Sequence, residues 1–155
     1  MEAANVVLVP ALAVYFGWPG AFLEWIALAV SALAASSLLV VGAIYWFGVS
    51  RRLRGDRSLF RRWLAVADQA ERPILALIVA AAFAVAGALV MEGWTSAVIA
   101  ALVLIVLAVL EYINYYRWQL QHFDNWADFR RLLSLSGLKR AHSARELATY
   151  RASLR

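Results

Sequence analysis

The stretch PILALIVAAAFAVAGALVMEGWTSAVIAALVLIVLAVLEYINYY, residues 73–116, decides the fold. It contains no Lys or Arg, and its only charges are Glu92 and Glu111. The link Glu92-Gly93-Trp94-Thr95 divides it into two apolar runs, 73–91 and 96–116. Each is long enough to cross ~30 Å of hydrocarbon at a helical rise of about 1.5 Å per residue. A link this short predicts an antiparallel helical hairpin. Pro73 reads as the opening residue of the first run, where its missing N–H costs nothing.

Upstream, residues 21–48 supply a third run of spanning length. With 64% hydrophobic and 16% charged residues among 155, the chain departs far from a soluble domain, which averages about 45–50% apolar and roughly 25% charged. That excludes a disordered chain and a nucleic-acid-binding tail. The lack of Cys excludes disulfide scaffolds and Cys-based metal or thiol chemistry. The predicted class is a single all-α integral membrane domain, residues 1–155, with three transmembrane helices at about 21–48, 73–91 and 96–116.

Charge placement sets the orientation. All 15 Lys and Arg residues fall in two blocks, Arg51–Arg72 and Arg117–Arg155, which hold only six of the acidic residues, a surplus of nine positive charges. Basic residues resist translocation and stay cytoplasmic. Both blocks are therefore expected inside, the 92–95 link and the start of the first span outside, and the C-terminus cytoplasmic in a bacterial-type inner (plasma or internal) membrane. Residues 5–16 are apolar but short and interrupted by Pro10. With the rest of 1–20 they read as an outer interfacial or re-entrant helix, which leaves the N-terminus outside; a short fourth span would put it inside.

Aromatics are expected in two belts, Trp18, Trp25 and Trp94 outside, and Tyr45, Trp46, Trp63, Tyr112, Tyr115, Tyr116 and Trp118 inside. Small residues recur at helical spacing, Ala76, Ala80, Ala84 and Ala88 in one span and Ala27, Ser31 and Ala35 in another. Such ridges permit the close approach that joins helices in lipid.

The first basic block, residues 51–72, reads as an in-plane amphipathic helix. Asp56 or Ser58 would cap it, its apolar face would lie in the bilayer, and Arg51, Arg52, Arg54, Arg57, Arg61 and Arg62 would contact anionic headgroups. Residues 117–155 read as a cytoplasmic cationic helical tail. Within it Ser143-Ala144-Arg145-Glu146 has the spacing of a capping box, and Leu147, Tyr150 and Leu154 form an apolar side.

One polar stripe stands out. If the third span continues past residue 116, Glu111, Tyr115, Trp118 and His122 share a helical face, flanked by Asn114 and Gln121. Such a stripe suits a ligand or a neighbouring subunit, since ionisable groups at membrane depth usually face a partner or a cavity. With two histidines and no cysteine, no metal site is expected, and no motif names a cofactor.

The expected function is that of a small non-enzymatic accessory or assembly subunit of a larger membrane complex. Its expected partners are anionic lipid headgroups and another membrane protein or a second copy of itself, with no nucleic acid. An alternative makes it an enzyme or carrier for a lipidic substrate at the inner interface, with Glu111 and His122 as proton-transfer groups. A third is an oligomeric channel lined by Ser31, Ser36 and Ser37.

Overall fold

A computed structural model describes residues 2–56, 58–118 and 140–154. Its elements are helices α1 (Glu2–Phe16), α2 (Phe22–Leu53), α3 (Ser58–Glu92), α4 (Ser96–Tyr116) and α5 (His142–Ala152). Among the described residues no strand occurs, only an isolated bridge between Trp118 and Arg140. Three helices, α2, α3 and α4, are long and apolar enough to cross a membrane. This matches the three spans expected from the hydropathy pattern.

The core lies where α2 meets α3 and α4. Ala27, Ser31, Ala34, Ala35 and Leu38 of α2 are fully buried, as are Ala81 and Ala88 of α3 and Val98, Ala101 and Ala108 of α4. Small side chains let the backbones approach and make close dispersion contacts. The expected ridge on α2 is thus in the interior. On α3 the packed face is instead Ile74, Ile78, Ala81, Val85 and Ala88, whereas Ala76 and Ala80 are exposed. Both stripes satisfy helical spacing, and the bulkier one fills more of the space against α2.

Helix α3 runs unbroken through Pro73. The in-plane amphipathic helix expected over 51–72 is therefore two other things: the end of α2 and the first half of α3, coaxial with the second span. Its apolar residues Phe60, Trp63, Leu64 and Ala67 are buried inside the protein instead of lying in lipid. Pro73 removes the donor that would reach the Gln69 carbonyl, and Gln69 is exposed at the polar end of the helix. The Asp56 carboxylate accepts from the Ser58 backbone N–H (3.0 Å) and hydroxyl (2.7 Å), which fixes the entry to α3.

The turns into α2 and α4 are capped locally. Gly93, at φ 75°, adopts the left-handed conformation that closes the α3–α4 turn, and the Thr95 side chain accepts from the Val98 N–H to start α4. Glu24 is 4% exposed and accepts from the N–H groups of Gly20 (2.6 Å) and Ala21 (3.0 Å). It thereby satisfies the free donors at the start of α2.

The expected outer interfacial helix is α1, which does not lie across the α3–α4 end of the bundle. It runs lengthwise beside α2 and α4. At one end Gly17 is so close to α4 that a Cβ there would meet Ala100 Cβ at 2.5 Å and the Ser96 carbonyl at 2.9 Å. Further down, the Ser36 hydroxyl of α2 donates to the Val6 carbonyl (3.2 Å).

Candidate functional site at the α5 end of the bundle

The polar side chains cluster where α4 ends. The helix stops at Tyr116, and the chain turns through Arg117, whose N–H, like that of Trp118, donates to the Ile113 carbonyl. The predicted stripe depended on this helix continuing, so Trp118 does not share the face of Glu111, Asn114 and Tyr115. Gln121 and His122 lie outside the described residues, as does Arg57.

The end of α4 is instead closed by α5. The Arg117 carbonyl accepts from the Ala141 N–H, and the Ser143 hydroxyl donates to the Tyr115 carbonyl at 2.7 Å. This carbonyl is one of the four that a helix leaves without an intrahelical donor. Ser143 therefore does not cap its own helix: α5 begins at His142 after Ala141, and Glu146 turns away to pair with Arg52 at 3.0 Å. The expected capping box is not formed because both of its side chains serve the contact between α5 and the bundle.

Two ionic groupings hold α5. In one, Tyr45 Oη and His142 Nδ1 are 3.2 Å apart, His142 Nε2 lies 3.9 Å from Glu146, and Arg52 stacks over Phe60 while holding Glu146. In the other, Glu71 on α3 is the shared acceptor. Its carboxylate accepts from Tyr112 Oη (3.1 Å) and pairs with Arg117 (3.3 Å) and Arg151, while Arg151 also reaches Asp68. Burial alone would make Arg151 easier to deprotonate, but its bonds to Glu71 and Asp68 outweigh that and hold its proton more firmly.

The expected inner aromatic belt is largely internal. Tyr45, Trp63, Tyr112, Tyr115 and Tyr116 are buried, and only Trp46 and Trp118 are exposed. Their polar atoms find partners inside the bundle: Trp63 Nε1 donates to the Val41 carbonyl and Tyr116 Oη to the Ala67 carbonyl, each at 3.0 Å. Gly42 is what admits Tyr115, since a Cβ at that position would sit 2.1 Å from its hydroxyl oxygen.

Three hollows bear on chemistry. One of about 100 Å³ lies among Tyr45, Trp46, Asn114, Tyr115, His142 and Ser143. A second, about 600 Å³, is open over Asp68, Gln69, Glu71, Arg72 and Arg151. The third, about 450 Å³, is an apolar groove between α1 and α4 lined by residues such as Leu12, Phe16, Ile99 and Val103. The apolar groove holds no acid or base, and Asp68, Glu71, Arg151 and His142, which line the other two, are engaged in the contacts just described. Ser31 is fully buried and Ser36 is bonded to α1, so neither lines a lumen between copies, as the channel reading needed.

Sequence reasoning missed Glu71, Arg151 and His142 at this end of the bundle and took Tyr45 only for a belt residue. One signal was present: His142 and Glu146 stand four apart on one helix, the spacing at which side chains meet. Comparison with protein-family models, with curated proteins and with solved structures finds no match to this chain.

Proposed function

We propose that this chain is a small non-enzymatic multi-pass membrane protein that serves as an accessory or assembly subunit of a larger membrane complex. In this reading both basic segments face the cytoplasm of a bacterial-type cell, and α5 closes the inner end. The observation that carries it is the fate of the inner-end polar groups. They are engaged in holding helices together: the gap among Tyr45, Asn114 and His142, about 100 Å³, is well below the roughly 300–1,000 Å³ usual for a small-molecule site, and in the open hollow of about 600 Å³ the Asp68 and Glu71 carboxylates are already paired with Arg151. What remains outward is a broad apolar surface, including Leu33, Phe83, Val90, Met91 and Val103, and an exposed cationic turn bearing Arg51, Arg54, Arg61 and Arg62. The first surface suits lipid or another membrane protein, the second anionic headgroups of the cytoplasmic leaflet.

The test is gentle solubilisation of the membranes in which the chain is natively made, followed by purification through a tag on it. A defined larger assembly of fixed stoichiometry is expected. Recovery of the chain alone, as a monomer carrying only lipid, overturns the reading.

A further inference from the structure

Between Val6 and Tyr15, α1 has no charged or amide side chain, and Val7, Leu8 and Leu12 are exposed on its outward side. A helix lying flat in the headgroup layer needs a polar face toward water. One that is apolar all round belongs inside protein or hydrocarbon.

The position of α1 agrees with that chemistry. Gly17 abuts Ser96 and Ala100 at the outer start of α4, and Val6 meets Ser36, 14 residues down α2 from Phe22. Those two contacts run α1 antiparallel to α2 and α4. Its 15 residues measure about 22 Å, against about 31 Å for the 21 residues of α4. The chain thus enters α1 within two helical turns of the inner end of α4.

The hydrogen bonding of Pro10 points the same way. Proline has no N–H, so Pro10 leaves the carbonyl four residues before it, that of Val6, without its helical donor. In the headgroup layer water would fill that role. In hydrocarbon only another protein group can, and the Ser36 hydroxyl does so.

We infer that α1 is a fourth membrane-crossing segment, entered from the inner side, so that the chain ahead of it lies on the same side as the α2–α3 turn and α5. Local thinning of the bilayer and the Gly17–Gly20 turn make up its shortfall in length. The inference reverses the outer placement of the N-terminal residues expected from the sequence alone. It rests on α2, α3 and α4 crossing the bilayer and does not depend on the accessory role.

Because the chain has no Cys, single cysteines report cleanly on sidedness. Ala4→Cys, Glu92→Cys and Ala152→Cys are made one at a time in the full-length protein. Each is challenged with a membrane-impermeant maleimide in sealed vesicles of either orientation. Ala4→Cys is expected to label from the side that labels Ala152→Cys and to lose labelling from the side that labels Glu92→Cys. Labelling together with Glu92→Cys overturns the inference, and so does protection from both sides that only detergent relieves. Labelling of Glu92→Cys and Ala152→Cys from one and the same side would instead overturn the spanning of α4, and this inference with it.

Discussion

The bond between Ser36 and the Val6 carbonyl shows what single residues contribute in this protein. Pro10 creates the need and Ser36, 30 residues away, meets it. Ser36→Ala leaves a buried carbonyl without a donor, which costs about 1–3 kcal/mol. Pro10→Ala restores the intrahelical donor, so the double variant Pro10→Ala/Ser36→Ala should recover most of that loss in thermal unfolding in detergent. Independent, additive effects of the two changes would show that the bond carries no weight. Gly42 works by omission. In Gly42→Ala the added methyl group must displace the Tyr115 ring, and overpacking of this kind costs about 1–3 kcal/mol. A midpoint unchanged from the parent protein would contradict that reading. At the turn into α3, the Ser58 hydroxyl and N–H hold the Asp56 carboxyl below its ordinary range. A lowered folded-state value means that the bond contributes stability above the ordinary carboxylate pKa and loses it as pH falls through the lowered value. Amide exchange in the first turn of α3 should therefore quicken in acid, and Ser58→Ala should shift that onset to higher pH.

Among the elements, α5 is the one whose attachment is built from polar contacts. It contributes Leu147 to the core, but Ser143, Glu146 and Arg151 decide where it sits. Glu71, with a side chain 13% exposed, is the acceptor shared by α3, α4 and α5. Glu71→Ala leaves Arg117, Arg151 and Tyr112 short of an acceptor while Asp68 still holds one arm of Arg151. The expected result is faster hydrogen exchange in α5 and in Tyr112–Tyr116, with the α2–α3 contact unaffected. Uniform loss of protection across all helices would contradict this local role. Much of this attachment was hidden from the sequence. An i, i+3 capping box and an i, i+4 His–Glu pair overlap at residues 142–146, and spacing alone does not say which bond forms. The choice falls to groups distant in sequence: the Tyr115 carbonyl takes Ser143, and Arg52 takes Glu146. The spans were legible for the opposite reason, because hydrocarbon demands about 20 apolar residues in a row and nothing distant can substitute for them.

At the scale of the whole molecule, two kinds of cohesion are layered along the bundle axis. Toward the α3–α4 turn and through the middle, small and aliphatic residues of α2, α3 and α4 interlock, with Leu28, Ser31, Leu38, Val98 and Leu104 almost wholly enclosed. At the α5 end, ion pairs and tyrosine hydroxyls take over. The first layer follows from composition and periodicity, so the sequence reading located it, although it chose the Ala76–Ala80 side of α3 over the Ile74–Ile78 side. The second depends on tertiary neighbours, which is why Glu111 and His122 drew attention while Glu71 and Arg151 did not. If the layers are as separable as their chemistry, a chain ending at residue 139 should still insert and pack α2, α3 and α4. Its circular dichroism should fall by no more than the 11 residues of α5 account for. Its thermal midpoint should drop, since the Tyr115 carbonyl and Glu71 lose their partners from α5, while amides around Ala27–Leu38 stay protected from exchange. Loss of protection in that central stretch would mean that the inner closure is a condition of the fold and that the two layers form one cooperative unit.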